Sequence, residues 1–449
     1  MMSIDNLTPP YSLEAEQGVL GGLMLDNSTW DLLADRLMAE DFFRSEHRAI
    51  FKAIEVLAQQ NKPFDVVTLS EQLTDQPEWG GLAYLGELAK NTPSVANIKT
   101  YAEIVRERAH LRRLIQFGFA CSREAAEPQA SSQLVQELFE QRLFALGQAQ
   151  QRQEFVDLNH CLLEVIEEID QHFNSGEITT GVPSGLVELD LKTAGFQPAD
   201  LVVVAARPSM GKTSLVLNFV ETALAARPCA SVQIYSLEMP ARALVYRLLA
   251  ILGRLSLANL MKGQLSDDDW PRLTAAAAKL QGYGERLIID DSPALTCMAL
   301  RSRARCAARR FGAPALVMVD YLQLMRAPGR ETRNLEIAEI SAGLKALAKE
   351  LNCPVIALSQ LNRSLEQRSN KRPVLADLRE SGAIEQDADL ILFVYRDEVY
   401  HPESADRGSA ELIIGKHRNG PTGFLRVLFI AEQTRFTSLH ANSAWQGAS

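Results

Sequence analysis

A turn between an apolar run and a helix-like segment carries the residue types that bind phosphate. The apolar run 201–205 predicts a buried strand, and the segment 215–219 predicts the helix that follows it. The turn between them contains Ser209, Gly211, Lys212, Thr213 and Ser214. In such a turn, backbone N–H groups face an anion, the lysine reaches the β- and γ-phosphates, and the threonine hydroxyl holds Mg²⁺. The pattern therefore predicts a site for a nucleoside triphosphate and Mg²⁺.

One position departs from the usual pattern of such loops. Ala206 stands where the pattern begins with glycine. We expect this difference to have a small effect, because Gly211 is retained where the backbone must come closest to phosphate.

Three further predicted strands end in side chains suited to triphosphate chemistry. One ends in Asp320, which would hold Mg²⁺ directly or through a water molecule. A second is followed by Glu238, placed to polarise an attacking water as a general base. A third is followed by Gln360, whose amide can orient water or sense the γ-phosphate. Each residue alone also fits a capping or solvated side chain, but their positions downstream of a phosphate loop favour the nucleotide site.

Two cations lie close to the tip of a predicted β-hairpin. The alternation over 411–429, with Asn419-Gly420 as the turn signal, predicts the hairpin. Lys416 and Arg418 are two residues apart and so point to the same face of the strand. An arginine finger that enters a neighbouring nucleotide site would explain the pair, and such a finger accelerates hydrolysis by about 10³–10⁵. Spacing alone also fits a solvated basic turn.

A polar loop before the last predicted parallel strand is a weak candidate for nucleic-acid contact. It contains Arg379, Glu380 and Gly382, and basic residues precede it between 363 and 372. Such a loop can hold a nucleic-acid backbone through its phosphates. A charged loop is more often only solvated, and no aromatic stacking platform accompanies it.

The elements that must position these residues fall into two classes. The region 1–150 shows helical spacing, the region 151–185 contains an apolar-faced helix and a Gly/Pro/Ser-rich linker, and 186–449 contains alternating strands and helices. That alternation predicts an α/β fold with a mostly parallel sheet, whose ligands lie at the carboxyl ends of the strands. Spacing slightly favours packing of the linker helix on its own domain.

Composition excludes few functions. The chain has 449 residues and a net charge of −10, which alone disfavours nucleic-acid binding, although an assembly can line a channel with basic groups. No apolar run approaches 18 residues, so we expect no membrane partner. The six cysteines are scattered without any Cys-x-x-Cys pair, which favours free thiols and a cytoplasmic location.

Taken together, these motifs resemble those of the bacterial replicative DNA helicases of the DnaB type. The resemblance runs nearly end to end, and it rests on the order and spacing of six segments after residue 200 and two near the start. These segments are 205–213, 236–240, 320–325, 359–366, 377–382 and 415–421, with 11–17 and 41–43 near the start.

The resemblance implies an α/β RecA-like P-loop ATPase domain, preceded by an all-α N-terminal domain and a linker helix, in a homohexameric ring. It implies ATP-driven 5′ to 3′ movement on single-stranded DNA and unwinding at the replication fork. The linker helix would pack on the neighbouring subunit, contrary to the preference from spacing. Primase, bound through the N-terminal domain, and a helicase loader would be partners.

The resemblance also assigns roles to residues. Lys212 and Thr213 would bind phosphate and Mg²⁺, Asp320 would support the metal, Glu238 would activate water, and Gln360 would sense the γ-phosphate. Lys416 and Arg418 would reach the adjacent subunit's ATP, and Arg379, Glu380 and Gly382 would hold the DNA backbone. His417 stands where many relatives carry glutamine, and we expect its side chain to point away from both cations.

Two other functions fit part of the pattern. A RecA-type strand-exchange ATPase shares the nucleotide chemistry but needs no helical N-terminal domain of this size. A scaffold that binds ATP without hydrolysing it would not need the full set of catalytic residues.

Overall fold

A computed structural model describes the protein in two compact units, Met1–Asp157 and Leu158–Ser449. The described residues are 8–74, 79–92, 94–132, 135, 138–139, 142–143, 158–175, 179–326, 332–378 and 382–439. Most of the segment 132–148, which belongs to the region predicted to be helical, lies outside these ranges.

The first unit is helical, as its periodicity predicts. Its helices are α1 (Leu13–Leu25), α2 (Trp30–Leu33), α3 (Ser45–Gln59), α4 (Val66–Gln72), α5 (Gly81–Asn91) and α6 (Ile98–Ala125). Ser12 caps α1 by accepting a hydrogen bond from the Ala15 N–H, and Asp65 caps α4 in the same way. The inward faces of α1 and α3 meet through Leu20, Leu23 and Ile54, which are fully buried.

The second unit has a nine-stranded sheet within its described part. Its strands are β1 (Leu201–Ala206), β2 (Ser231–Ser236), β3 (Leu287–Asp290), β4 (Pro314–Asp320), β5 (Val355–Gln360), β6 (Leu390–Tyr395), β7 (Ser409–His417), β8 (Gly423–Ile430) and β9 (Arg435–Ser438). The strand order is β3-β2-β4-β5-β1-β6-β7-β8-β9. Neighbours from β3 to β6 are parallel, and those from β6 to β9 are antiparallel. The predicted mostly parallel sheet is confirmed.

Helices connect and flank these strands. They are α7 (Leu158–Ser175), α8 (Val187–Thr193), α9 (Lys212–Ala226), α10 (Ala241–Gly253), α11 (Leu257–Lys262), α12 (Asp269–Tyr283), α13 (Cys297–Phe311), α14 (Arg333–Leu351), α15 (Gly382–Asp387) and α16 (Asp397–Tyr400).

The central strands are apolar throughout because both faces of the sheet are covered. In β1, Val202 and Val204 face one core, whereas Val203 and Ala205 face the other. The first core includes α9 and the second includes α13 and α14. Such two-sided burial explains why these strands appear as continuous apolar runs.

The predicted hairpin is present as β7 and β8, but its connection is longer than a two-residue turn. Residues 418–422 separate the two strands, and Asn419-Gly420 lie inside this connection. A β-bulge near Ile391 and Leu392 shifts the register between β6 and β7, so that Lys416 pairs with Ile391. This register sets where the two cations at the end of β7 lie.

Candidate active site

The phosphate loop lies at the carboxyl end of β1 and leads into α9. Gly211 has a left-handed backbone (φ +91°), and a Cβ there would lie 3.1 Å from the Phe436 ring. A side chain at this position would be both strained and crowded, which explains the glycine. Ala206 instead ends a regular strand, paired with Gln360 and 1% exposed. The backbone at position 206 therefore does not require glycine, and alanine fits there without strain.

The loop opens onto a cavity of about 330 Å³ that brings most of the predicted residues together. Its lining includes Ser209, Gly211, Lys212, Thr213, Ser214, Glu238 and Gln360. Asp320 lies beneath this lining and is fully buried. Residues from three strand ends and one helix start thus meet at one edge of the sheet, as expected for parallel strands.

Asp320 and Thr213 form a donor set of the kind that a hard divalent cation takes. Asp320 Oδ2 accepts a hydrogen bond from Thr213 Oγ1 at 3.0 Å. Its other oxygen, Oδ1, is buried and has no hydrogen-bond partner among the described residues. A buried carboxylate oxygen without a partner is costly unless a ligand meets it. Burial raises the pKa of Asp320, while the charge of Lys212 and the Thr213 hydroxyl act to lower it.

Lys212 is held inside the cavity. Its Nζ donates to the carbonyl of Ser359 at 3.4 Å and lies 4.8 Å from the centre of the Tyr321 ring. Burial lowers the pKa of Lys212, and the charges of Asp320 and Glu238 oppose that effect. The ammonium is therefore a poorly solvated charge, to which an anionic ligand would be strongly attracted.

Glu238 and Gln360 differ in how firmly they are held. Glu238 is exposed at the mouth of the cavity, where a water molecule has access. Gln360 is fixed through its backbone, because its N–H donates to Gln323 Oε1 at 3.2 Å. Gln323 Nε2 in turn donates to Ser359 Oγ at 2.8 Å. The Gln323 amide thus bridges the last two residues of β5.

Sequence reasoning missed three arginines that line the cavity, Arg207, Arg247 and Arg396. Arg247, on α10, contacts Ser214 Oγ at 3.2 Å, and burial lowers its pKa. Arg396 donates to the Ser209 carbonyl at 3.1 Å and stacks 4.0 Å from the centre of the Phe429 ring. Arg247 adds positive charge where phosphate is expected, whereas Arg396 is partly neutralised by Glu398 at 2.5 Å.

The two cations of the hairpin lie elsewhere. Among the described residues that line the cavity, neither Lys416 nor Arg418 is found. Lys416 Nζ donates to the carbonyls of Glu385 at 2.5 Å and Gln386 at 3.2 Å, at the end of α15. Arg418 Nη1 contacts Asp389 Oδ1 at 3.2 Å, yet its side chain is 66% exposed. Both cations therefore contact the segment formed by the end of α15 and Asp389, and their predicted shared face stays a prediction.

His417 lies between these two cations in sequence. Its ring packs against Gly420, where an added Cβ would be 2.4 Å from Cε1. Its Nδ1 is buried and makes no hydrogen bond to any described residue.

The predicted DNA loop is described only in part. Arg379 and Glu380 lie outside the described residues, and Gly382 is exposed at the start of α15. Upstream, Arg368 pairs with Asp377 at 2.6 Å and Arg372 with Glu411 at 2.7 Å. These two arginines are therefore partly neutralised within the chain.

Family models cover both units of the chain. The model of the DnaB-like helicase C terminal domain matches residues 181–438, and that of the DnaB-like helicase N terminal domain matches residues 8–107. The chain belongs to the DnaB-like helicase family.

Relatives and a solved structure agree with this assignment. The replicative DNA helicase DnaB of Haemophilus influenzae is 47% identical over 442 residues, covering 96% of this chain and 94% of the relative. That of Geobacillus stearothermophilus is 41% identical, covering 96% and 95%. A structure described as a DnaB-like replicative helicase and its interactions with primase has a TM-score of 0.75 at 32% identity, covering 95% of this chain and 100% of that one.

These findings confirm the predicted resemblance, the RecA-like α/β fold with a helical N-terminal domain, and the assignment as an ATP-dependent DNA helicase. The strand-exchange and scaffold alternatives are not supported. Within the described ranges, none of the helices combines the length and apolar character needed to cross a lipid bilayer. The six cysteines are free thiols.

Proposed function

We propose that this DnaB-like helicase works as a homohexameric ring that hydrolyses ATP between subunits, moves 5′ to 3′ on single-stranded DNA in the cytoplasm and unwinds the replication fork. The observation that carries the proposal is the separation of the hairpin cations from the cavity. Arg418 is exposed and is not among the described residues that line the cavity of its own chain, as expected of a finger for a neighbouring subunit.

The residues of the cavity that the sequence predicted each have a role in ATP hydrolysis. Lys212 and the loop N–H groups of Ser209, Gly211 and Ser214 bind the phosphates, while Thr213 and Asp320 hold Mg²⁺. When bound, Mg²⁺ neutralises charge on the β- and γ-phosphate oxygens. Glu238 accepts a proton from a water molecule while the oxygen of that water attacks the γ-phosphorus. The bond between the γ-phosphorus and the bridging oxygen, which leaves with ADP, breaks. Gln360 senses the γ-phosphate, and the loss of this phosphate after hydrolysis is transmitted along β5.

The linker helix supports assembly into a ring. On α7, Leu163, Ile169 and Phe173 are 61%, 63% and 85% exposed in the single chain. An apolar stripe of this size on one helix requires a partner surface. We infer that it packs on the neighbouring subunit.

DNA and protein partners complete the proposal. Arg379, Glu380 and Gly382 hold the DNA backbone inside the ring, next to α15, whose end contacts Lys416. The helical N-terminal unit binds primase, since a structural relative is described with its primase interactions. A helicase loader places the ring on DNA.

The experiment mixes two inactive variants, Arg418→Ala and Glu238→Ala. Each alone lacks one side of every interface, so each hexamer should hydrolyse ATP at below about 1% of the wild-type rate. In an equal mixture, about a quarter of the interfaces combine an intact cavity with an intact finger, and ATP turnover should recover.

The matched control mixes Lys212→Ala with Glu238→Ala. Both substitutions lie on the cavity side, so no interface is repaired and turnover should stay low. A mixture of Arg418→Ala and Glu238→Ala that is no more active than this control would contradict a finger acting between subunits.

A further inference from the structure

A buried aspartate just before β6, Asp389, contacts the finger at two points, through its backbone carbonyl and through its carboxylate. The backbone N–H of Arg418 donates to the Asp389 carbonyl at 2.8 Å. The side chain of Arg418 donates from Nη1 to Asp389 Oδ1 at 3.2 Å. Asp389 is only 3% exposed, whereas Arg418 projects into solvent. One fixed residue therefore restrains both the backbone and the guanidinium of an otherwise free side chain.

The second oxygen of the same carboxylate is fixed independently. Asp389 Oδ2 accepts hydrogen bonds from the Leu201 N–H at 2.8 Å and from Lys345 Nζ at 2.5 Å. Leu201 begins β1, the strand that ends at the phosphate loop, and Lys345 lies on α14. Because three separate elements meet at this carboxylate, Asp389 has little freedom to move.

The charge of Lys345 matters for the strength of the contact with Arg418. A carboxylate that faced Arg418 alone would compete with phosphate for the guanidinium. Lys345 lies closer to the Asp389 carboxylate than Arg418 does, at 2.5 Å against 3.2 Å, and offsets part of its charge, although Lys345 also pairs with Asp200 at 3.9 Å. The arrangement thus orients Arg418 while leaving part of its charge for another anion.

We propose that Asp389 is a positioning residue for the Arg418 finger, and that it ties the finger of each subunit to the β1 strand of its own phosphate loop. This inference rests on the proposed action of Arg418 between subunits. Ordering matters because an arginine side chain has many rotamers, and catalysis by positioning requires that few remain populated.

The first test is Asp389→Asn, measured in the full-length hexamer. The amide keeps the shape of the side chain but removes its charge, which weakens a charge-assisted hydrogen bond. We expect kcat for ATP to fall about tenfold, while KM changes less than about threefold, since the cavity itself is untouched. Asp406→Asn is the matched control, because Asp406 makes an exposed contact with Arg426 at 3.3 Å, and its turnover should equal that of wild type.

Mixed hexamers show which side of the interface is damaged. Asp389→Asn mixed with Glu238→Ala should regain turnover, as Arg418→Ala does, whereas Asp389→Asn mixed with Arg418→Ala should not. Wild-type kcat for Asp389→Asn would overturn the inference. The inference would also be overturned if Glu238→Ala rescued Arg418→Ala but did not rescue Asp389→Asn. That result would leave the proposed function intact. Failure of both rescues would overturn the proposed function itself.

Asp389→Glu is a second variant that keeps the inference testable if Asp389→Asn does not fold. It retains the charge beside Lys345 and displaces the carboxylate by one methylene group. Hexamer mass should remain that of wild type, and the melting temperature should fall by about a few degrees because the buried site must accommodate the added methylene group. The kcat should fall, and Glu238→Ala should rescue it. Full turnover by this variant would show that the position of the carboxylate is immaterial and would overturn the inference.

Discussion

Replacement of Lys212 by alanine separates the chemistry of the cavity from the stability of the fold. Lys212 Nζ lies inside the phosphate cavity, and its one hydrogen bond within the described residues is a weak one to the Ser359 carbonyl at 3.4 Å. Because burial lowers its pKa, the charged form costs stability in the folded state at pH values below that pKa. Loss of this ammonium removes that cost but also removes the charge that acts to lower the pKa of the buried Asp320, so the melting temperature without nucleotide should be nearly unchanged.

Nucleotide binding and turnover should respond strongly. A hydrogen bond to a charged group contributes about 1.5–3 kcal/mol, which corresponds to a loss of about 10- to 150-fold in affinity. Removal of a positive group from the developing charge costs a further factor of about 10²–10³ in kcat. ATP turnover by Lys212→Ala should thus be undetectable in an ordinary assay.

The assay compares melting temperatures with and without a non-hydrolysable ATP analogue and Mg²⁺. At about 100 times Kd, wild type gains about 2.7 kcal/mol, whereas a variant with about 50-fold weaker binding gains about 0.6 kcal/mol. Lys349→Ala, an exposed lysine on α14, is the control and should behave as wild type. A nucleotide-induced shift of wild-type size in Lys212→Ala, or near-normal ATPase, would refute the site assignment.

Three other substitutions test contacts in and around the sheet. Gln323→Ala removes the hydrogen bonds that fix Gln360 and Ser359, so kcat should fall about tenfold while the nucleotide affinity stays nearly unchanged. An ATPase assay and a nucleotide titration measure these two quantities, and a wild-type rate would show that Gln323 has no role in turnover. Thr213→Ala should raise the Mg²⁺ concentration for half-maximal turnover about tenfold, and an unchanged Mg²⁺ titration would argue against Thr213 as a ligand. Burial, with repulsion from Asp389, raises the pKa of Asp200 to about 6. An acidic side chain whose pKa is higher in the folded state than in the unfolded state destabilises the fold at pH values above its unfolded-state pKa. Asp200→Asn should therefore raise the free energy of unfolding by about 3 kcal/mol at about pH 8 and by about 1 kcal/mol at about pH 4.5. Denaturant unfolding at both pH values measures this difference, and an equal gain at both would contradict it.

The cavity could be predicted because local sequence determines most of it. A strand, a glycine-containing turn and a helix position Lys212 and Thr213 within a few residues. Parallel strands bring their carboxyl ends to one edge, which is why Glu238, Asp320 and Gln360 meet there.

The parts that sequence did not predict depend on contacts between distant elements. Arg247 reaches the cavity from a helix whose packing no local pattern reveals. Phe429 and Phe436 pack near Gly211 because three antiparallel strands extend the sheet. The last of these strands, β9, has four residues, which is too short for a clear pattern in the sequence. The contact of Arg418 with Asp389 depends on the register of β6 and β7, which includes a bulge.

The most direct test of a ring that moves along one strand is unwinding of a forked DNA duplex by the purified hexamer. Forks with both tails, with only a 5′ tail or with only a 3′ tail are compared, with ATP and Mg²⁺ present. We predict unwinding that requires the 5′ tail and is lost in Arg418→Ala and Lys212→Ala. A hexamer that hydrolyses ATP in response to single-stranded DNA but unwinds none of these forks, or unwinds with only a 3′ tail, would contradict the account.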